Sequence, residues 1–356
     1  MSLSIHNGGM LCAVYHGPGR LDIEERPIPE CPPDGLLAKV MACGICGSDV
    51  RNIFTGLKDG ITDQIIGHEI AGSVVEAAPG LRFKKGDAIA LAPDINCGEC
   101  YYCKRGWVNL CSRHRMLGAH FPGGFAQYIA IPGEVLTRGF IEPIPPGMPW
   151  EHAAFAETAA AVLTCQKRIG LNLGDRVLVM GDGPVGCLHA EAARARGASL
   201  VMMAGLDRLA LAASFGVDLL LDNRDPGTVR RRVMDATGGV GADAVICAAP
   251  IARVQEQAVE LTRKRGVVVL YGGVPKDAPM TSLNSNIIHY NELSIVGAFS
   301  YPATGLSDAL EAIAAGHIKP ERYINMTLPL AKVWDGIEAA RTGKALKVML
   351  DPWAKE

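Results

Sequence analysis

The sequence predicts an α/β fold in two domains: a compact, mostly antiparallel β domain and a doubly wound parallel-sheet domain. Three observations carry this. Short β-type runs broken by Gly and Pro fill the chain from Leu11 to about Trp150. Apolar strands then alternate with helices from Arg176 to Phe299. At the first strand-to-helix junction stands the loop Gly181-Asp182-Gly183-Pro184-Val185-Gly186, a G-x-G-x-x-G pattern.

Size and composition agree. A chain of 356 residues leaves room for two domains, at roughly 150 residues each. Hydrophobic residues make up 49% and charged residues 20%, enough for a packed core. Lys and Arg number 35 against 37 Asp and Glu, so the charge balance offers nothing to nucleic acid or an anionic membrane. No apolar run approaches the roughly 20 residues of a membrane span. Met1–Met10 lacks the apolar segment of a secretory signal, so a cytoplasmic location is expected. The first nine residues are expected to be a disordered lead, since the strand pattern begins at Leu11.

The strands of the first domain are read at Leu36–Met41, Ile70–Ala77, Asp87–Leu91 and Phe125–Ile131, with turns such as Pro79-Gly80 between them. Near Trp150 the texture changes to an Ala-rich helix, Glu151–Gly170. The six strands that follow are Arg176–Met180, Leu200–Ala204, Asp218–Leu221, Ala242–Ala248, Val267–Tyr271 and Leu293–Phe299. Six such strands with helices between them match a doubly wound dinucleotide-binding sheet. Two helices, Leu306–Ala315 and Ala331–Arg341, and a strand at Ala345–Leu350 close the chain. These boundaries assign residues 1–155 and 300–356 to one domain and 156–299 to the other.

Of the 11 cysteines, Cys97, Cys100, Cys103 and Cys111 form a C-x2-C-x2-C-x7-C cluster. Four thiolates close a tetrahedral shell around zinc and leave no open position, so the expected role is structural. An iron–sulfur cluster or four reduced surface thiols are the competing readings. Upstream, Gly44-Ile45-Cys46-Gly47-Ser48-Asp49 and Gly67-His68-Glu69 supply further donors, and Glu157 opens the Ala-rich helix region. One Cys, one His and one Glu would leave a fourth tetrahedral position for a water or an alcohol oxygen. Taken singly, Cys46 reads equally well as a small buried hydrophobe and Glu157 as a helix-start carboxylate.

With Gly123-Gly124-Phe125-Ala126 and the glycine loop, these motifs resemble the zinc-containing alcohol and polyol dehydrogenase branch of the medium-chain dehydrogenase/reductase family. The resemblance runs from about Leu11 to Pro352. It implies a GroES-like catalytic domain and a Rossmann coenzyme domain, and one catalytic and one structural zinc per chain. It also implies that Cys46 and His68 bind the catalytic zinc and that Ser48 relays the substrate proton. The third ligand is Glu69 or Glu157, directly or through water. Glutamate at position 157, where simple alcohol dehydrogenases carry cysteine, resembles the sorbitol and threonine dehydrogenases. Cys43 and Cys165 fall outside the motif and read as packing residues. Homodimers or homotetramers are implied, by analogy alone.

In the nucleotide loop the first glycine permits the tight turn and the second admits the pyrophosphate. The third lets helix and strand approach, and the helix N-terminus, at Pro184 and Val185, faces the phosphates. An acid about 20 residues on normally holds the ribose of NAD. Gly205 stands there instead. Arg208 would meet a 2′-phosphate and Asp207 would serve a ribose, so NAD and NADP both stay open, with a lean to NADP. The expected function is reversible oxidation of a secondary alcohol, a polyol or sugar alcohol, by hydride transfer to NAD(P)+. A metal-free quinone or enone reductase, and a non-catalytic cofactor-binding or redox-sensing protein, are the alternatives. The presence of Cys46, His68 and Glu157 argues against the first.

Overall fold

The computed structural model describes residues 8–355, which divide into two units, residues 8–160 with 301–355 and residues 161–300. The expected disordered lead falls, for residues 1–7, outside the described residues. Gly9 already belongs to the first strand, Gly9–Gly17. Among the described residues no helix is long and apolar enough to cross a membrane.

In the first unit a three-stranded sheet joins Arg20–Pro27, Gly9–Gly17 and Gln64–Ile65. A seven-stranded sheet runs in the order Ile141–Pro143, Ala88–Leu91, Glu69–Ala77, Leu36–Ile45, Lys347–Asp351 and Ile324–Pro329, and Tyr128–Ile131 also pairs with Leu36–Ile45. Its core gathers Leu36, Val40, Ile70, Ile89, Phe125 and Val348, all nearly or fully buried. Each such side chain contributes roughly 1.5–3 kcal/mol by leaving water. The C-terminal strand thus completes the N-terminal sheet, which lets residues some 300 positions apart in sequence share one site.

The second unit is a six-stranded sheet ordered Leu219–Asp222, Leu200–Gly205, Arg176–Met180, Ala242–Cys247, Thr262–Leu270 and Ser294–Gly297, parallel at every pairing. Val177, Leu178, Val179 and Met180 are fully buried, as an apolar run covered on both faces requires. The strand order reverses beside Arg176–Met180, and in such sheets ligands bind outside the carboxyl ends of the strands at that reversal. All six predicted strands are present. The helix after Leu200–Gly205 is only Leu209–Ala212 followed by a 3-10 turn, because Leu206 and Asp207 stay in the preceding turn.

Three helices escape sequence inspection. Gly133–Arg138 and Ser285–Tyr290 are short. Gly47–Thr55 has Cys46 as its N-cap, a residue type that rarely signals a helix start.

Candidate functional site

Neighbouring strands bring the first-unit donors together. Gly44 on Leu36–Ile45 pairs with Glu69 on Glu69–Ala77, so Cys46 and His68 leave adjacent strand ends. The ligand atoms of Cys46, His68 and Glu69 all lie within 4.8 Å of one another. Gly67 has φ +89°, and a Cβ there would meet the Phe125 ring at 2.3 Å, so only glycine fits before His68.

Asp49 fixes two of the three donors. Its Oδ2 accepts the Cys46 backbone N–H at 2.9 Å, which tightens the start of helix Gly47–Thr55. Its Oδ1 lies 2.9 Å from His68 Nδ1. With Nδ1–H donated to the carboxylate, Nε2 is the nitrogen that offers its lone pair once an electrophile displaces its proton. Burial alone would lower the His68 pKa, but the Asp49 carboxylate more than offsets this and raises it well above the ordinary value. Ser48 Oγ stands 3.4 Å from Nε2.

Glu69 is fully buried, and its two oxygens have different fates. Oε1 accepts from Lys347 Nζ at 2.5 Å and from Thr158 Oγ1 at 2.8 Å. Oε2 has no hydrogen-bond partner. A Cβ on Gly44 would come within 1.8 Å of that oxygen, so the glycine opposite is a steric requirement. Lys347 reaches Glu69 from the far side of the central strand, since Lys347–Asp351 pairs with the other edge of Leu36–Ile45. Burial would lower the Lys347 pKa, but the Glu69 carboxylate keeps it raised and the ammonium charged.

Glu157 stands outside the Cys46–His68–Glu69 group. Its Oε1 accepts from the buried Tyr301 hydroxyl at 3.0 Å. Burial, reinforced by the Glu69 charge, pushes its pKa up to about 7 against the opposing pull of His68. Ala156 is fully buried, Thr158 is committed to Glu69, His120 Nε2 lies 3.1 Å from Asp59, Phe121 packs on the core and Phe299 is exposed. Cys43 and Cys165 are buried, as expected of packing residues.

Lys347 and Tyr301 were not found by sequence reasoning. The signal for Lys347 was a lone charge inside the apolar run Ala345–Leu350. Its removal tests the pairing. Lys347→Met is expected to cost about 3–5 kcal/mol in urea unfolding of chelator-treated protein, because it strands a buried carboxylate. An unchanged midpoint would mean that Glu69 does not need this partner.

Both metal sites pass a test of fit. In the cysteine cluster Sγ separations are 3.9 Å for Cys97–Cys103, 3.5 Å for Cys100–Cys103 and 4.0 Å for Cys100–Cys111. Tetrahedral zinc with bonds of about 2.3 Å requires sulfurs about 3.8 Å apart. All four are free thiols, and the Cys97 and Arg113 backbone N–H groups each donate to Cys111 Sγ at 3.3 Å. At the other site the unpartnered, buried Glu69 Oε2, the thiol and the imidazole make a mixed O, S, N donor set suited to zinc.

In the second unit Gly181 has φ +128°, and Gly183 caps helix Pro184–Ala195, whose first residues are Pro184 and Val185. A Cβ on Gly186 would lie 1.9 Å from the Gly181 carbonyl oxygen, which is the close helix–strand approach the motif demands. Beside Gly205 the Asp182 carboxylate takes up the room, since a Cβ on Gly205 would meet its Cγ at 2.4 Å. Asp182 Oδ2 accepts from the Leu206 and Arg208 backbone N–H groups at 2.9 and 2.7 Å. A cavity of about 310 Å³ opens here, lined by Gly181, Asp182, Gly205 and Arg224 among others but by neither Asp207 nor Arg208. Asp207 points to solvent and pairs with Arg224, and Arg208 caps the short helix that follows.

Fold and donor sets together define a zinc-dependent, NAD(P)-linked dehydrogenase acting on a small molecule. Comparison with known proteins agrees. Residues 32–145 match the alcohol dehydrogenase GroES-like domain and residues 184–315 the zinc-binding dehydrogenase domain. Sorbitol dehydrogenase of Bombyx mori is 31% identical over 95% of this chain and 97% of its own length. Erythritol/L-threitol dehydrogenase of Mycolicibacterium smegmatis is 31% identical over 96% and 98%. A zinc-binding dehydrogenase of Sinorhizobium meliloti, solved with NADP bound, superposes with a TM-score of 0.87 at 31% identity, over 97% of this chain and 99% of that one. The chain belongs to the zinc-containing alcohol and polyol dehydrogenase branch of the medium-chain dehydrogenase/reductase family.

Proposed function

We propose that this enzyme reversibly oxidises a secondary alcohol of a polyol or sugar alcohol, with NADP as the preferred acceptor. The first unit is the catalytic domain and the second the coenzyme domain. Each chain holds two zinc ions, a catalytic one on Cys46, His68 and Glu69 and a structural one on Cys97, Cys100, Cys103 and Cys111. The observation that carries the catalytic assignment is the buried, unpartnered Glu69 Oε2 beside the Cys46 thiol and the His68 imidazole. Glu157 acts from the edge of this set as a neighbouring acid rather than as a direct ligand. The polyol class is supported by the sorbitol and erythritol/L-threitol dehydrogenases among the relatives.

When bound, zinc supplies a Lewis acid that makes an alcohol hydroxyl more acidic, and the dinucleotide accepts the hydride. The protein's residues prepare for both. Asp49 sets the ring and tautomer of His68, and Lys347 with Thr158 holds one Glu69 oxygen so that the other stays turned toward the donors. Ser48 receives the hydroxyl proton at Oγ and passes it toward solvent. A panel of sugar alcohols and simple primary alcohols, assayed with zinc-loaded enzyme, tests this reading. Polyol oxidation is the expected result, and turnover of enones or primary alcohols alone would reject it.

The lean to NADP is supported by Gly205 in the place of the ribose-binding acid and by Arg224 lining the cavity beside it. Arg224 donates from Nη1 to the Leu206 carbonyl and to Asp222 Oδ2, both at 3.1 Å, and from Nη2 to Asp207, so a phosphate would meet its Nε–H and remaining Nη2–H beside these carboxylates. Arg224→Ala is expected to weaken NADP binding about tenfold or more, with little change for NAD, as removal of one charge-assisted contact implies. Equal losses for both cofactors in a fluorescence titration would contradict the assignment. A cytoplasmic homodimer or homotetramer completes the proposal, supported by the edge strand Ser294–Gly297, which pairs on one side only.

A further inference from the structure

The cavity in the second unit contains a feature that nucleotide binding in general does not demand. Asn223 and Gln257 both line it, and Asn223 Oδ1 and Gln257 Nε2 are buried with no hydrogen-bond partner. A buried acceptor and a buried donor left without partners forfeit their water hydrogen bonds with nothing in return. Two such losses in one cavity mark a place where a ligand supplies the missing donor and acceptor.

The surroundings restrict that ligand. Leu206 and Ile251 line the same cavity and are unusually open for large apolar side chains, 42% and 46% exposed. Val254 adds a buried apolar contact on the same face of helix Ala252–Leu261 as Gln257, three residues apart. Apolar walls with one acceptor and one donor suit a flat heteroaromatic ring that carries an amine next to a ring nitrogen. Adenine has this edge, and Asn and Gln side chains read it elsewhere by the same donor and acceptor pairing. The backbone anchors the acceptor, because the Asn223 N–H donates to the Gly205 carbonyl at 2.8 Å, at the carboxyl end of the sheet.

We infer that Asn223 and Gln257 read the edge of the cofactor's adenine, Asn223 Oδ1 accepting from the 6-amino group and Gln257 Nε2 donating to a ring nitrogen. This makes the site selective for the base and not only for the phosphates. The inference rests on the dinucleotide reading above and concerns a different part of the cofactor from Arg224.

Calorimetric titration of the zinc-loaded protein with ADP, and with purine riboside 5′-diphosphate, which lacks the 6-amino group, tests it without recourse to turnover. ADP is expected to bind about tenfold more tightly. In Asn223→Leu the ratio is expected to fall to near one, through loss of ADP affinity alone. Equal affinities in the wild-type protein would overturn the inference and would mean that the two amides are satisfied by each other or by water. That result needs no variant, so it stands even if Asn223→Leu fails to fold. Failure of folded protein to bind either nucleotide would overturn the dinucleotide reading as well, which separates the two failures.

Discussion

His68→Ala is expected to abolish turnover, by at least about four powers of ten, and to lower the zinc content by one per chain without unfolding the protein. The size follows from the chemistry the ligand supports. Bound zinc brings a water pKa from 15.7 down to about 7, and forfeiting half of that shift costs about four powers of ten. Cys46→Ala behaves alike. Asp49→Asn, which leaves His68 in place but disturbs its tautomer, costs less, on the order of 10–100-fold in zinc affinity or turnover. This ranking separates a ligand from the residue that orients it. Asp49 also accepts the Cys46 N–H at 2.9 Å, so its loss relaxes two donors at once. Stopped assays and metal analysis of the three variants, with circular dichroism as the check on folding, decide the matter. Wild-type turnover in either alanine variant would remove the catalytic site from the account.

Cys100→Ser is the counterpart at the other metal, and its largest effect falls on stability. Structural zinc in small peptides contributes roughly 10–16 kcal/mol of binding free energy. Here the proposed metal would tie down one loop of a larger sheet domain, so a loss of about 3 kcal/mol is expected, near 10 °C in melting temperature. Turnover of the folded fraction should stay within about threefold, since the four sulfurs leave no open position for substrate. A stable but inactive variant would show that this cluster takes part in the chemistry. A variant with unchanged melting temperature and zinc content would show that it holds no metal.

The features readable from sequence were those carried by local spacing. The cysteine cluster spans 15 residues, Cys97 to Cys111, and the glycine loop six, so no long-range pairing is needed to recognise either. The parallel strands were legible because burial on both faces leaves an unbroken apolar run. What escaped depends on sheet pairing. The proposal of Glu69 rather than Glu157 as ligand rests on Gly44 lying opposite Glu69, and the partner that holds Glu69 arrives 278 residues later on the C-terminal strand. Nothing in the spacing of Gly67-His68-Glu69 announces Lys347. At the cofactor site Gly205 did show that the usual acid was missing. That Asp182, from the glycine loop itself, takes up the space beside it follows only from the approach of the two strand ends. Asp207 and Arg208 lie at the right distance in sequence, but where their side chains sit depends on the turn: Asp207 pairs with Arg224, and the Arg208 guanidinium comes near Gly183 of the glycine loop.

These placements recast the role of the carboxylates. Glu69 is a donor held in place by a buried ammonium, and Glu157 a group whose pKa burial raises to about 7, with Tyr301 as its partner. The central claim is that Cys46, His68 and Glu69 hold a zinc distinct from the four-cysteine zinc and that this zinc serves polyol oxidation. Metal analysis of wild-type and His68→Ala protein, paired with NADP reduction by a sugar alcohol on the same samples, tests it most directly. The account predicts two zinc per chain with activity in the wild type, and one zinc with none in the variant. One zinc per chain in an active wild-type enzyme, or two in an inactive variant, would contradict it.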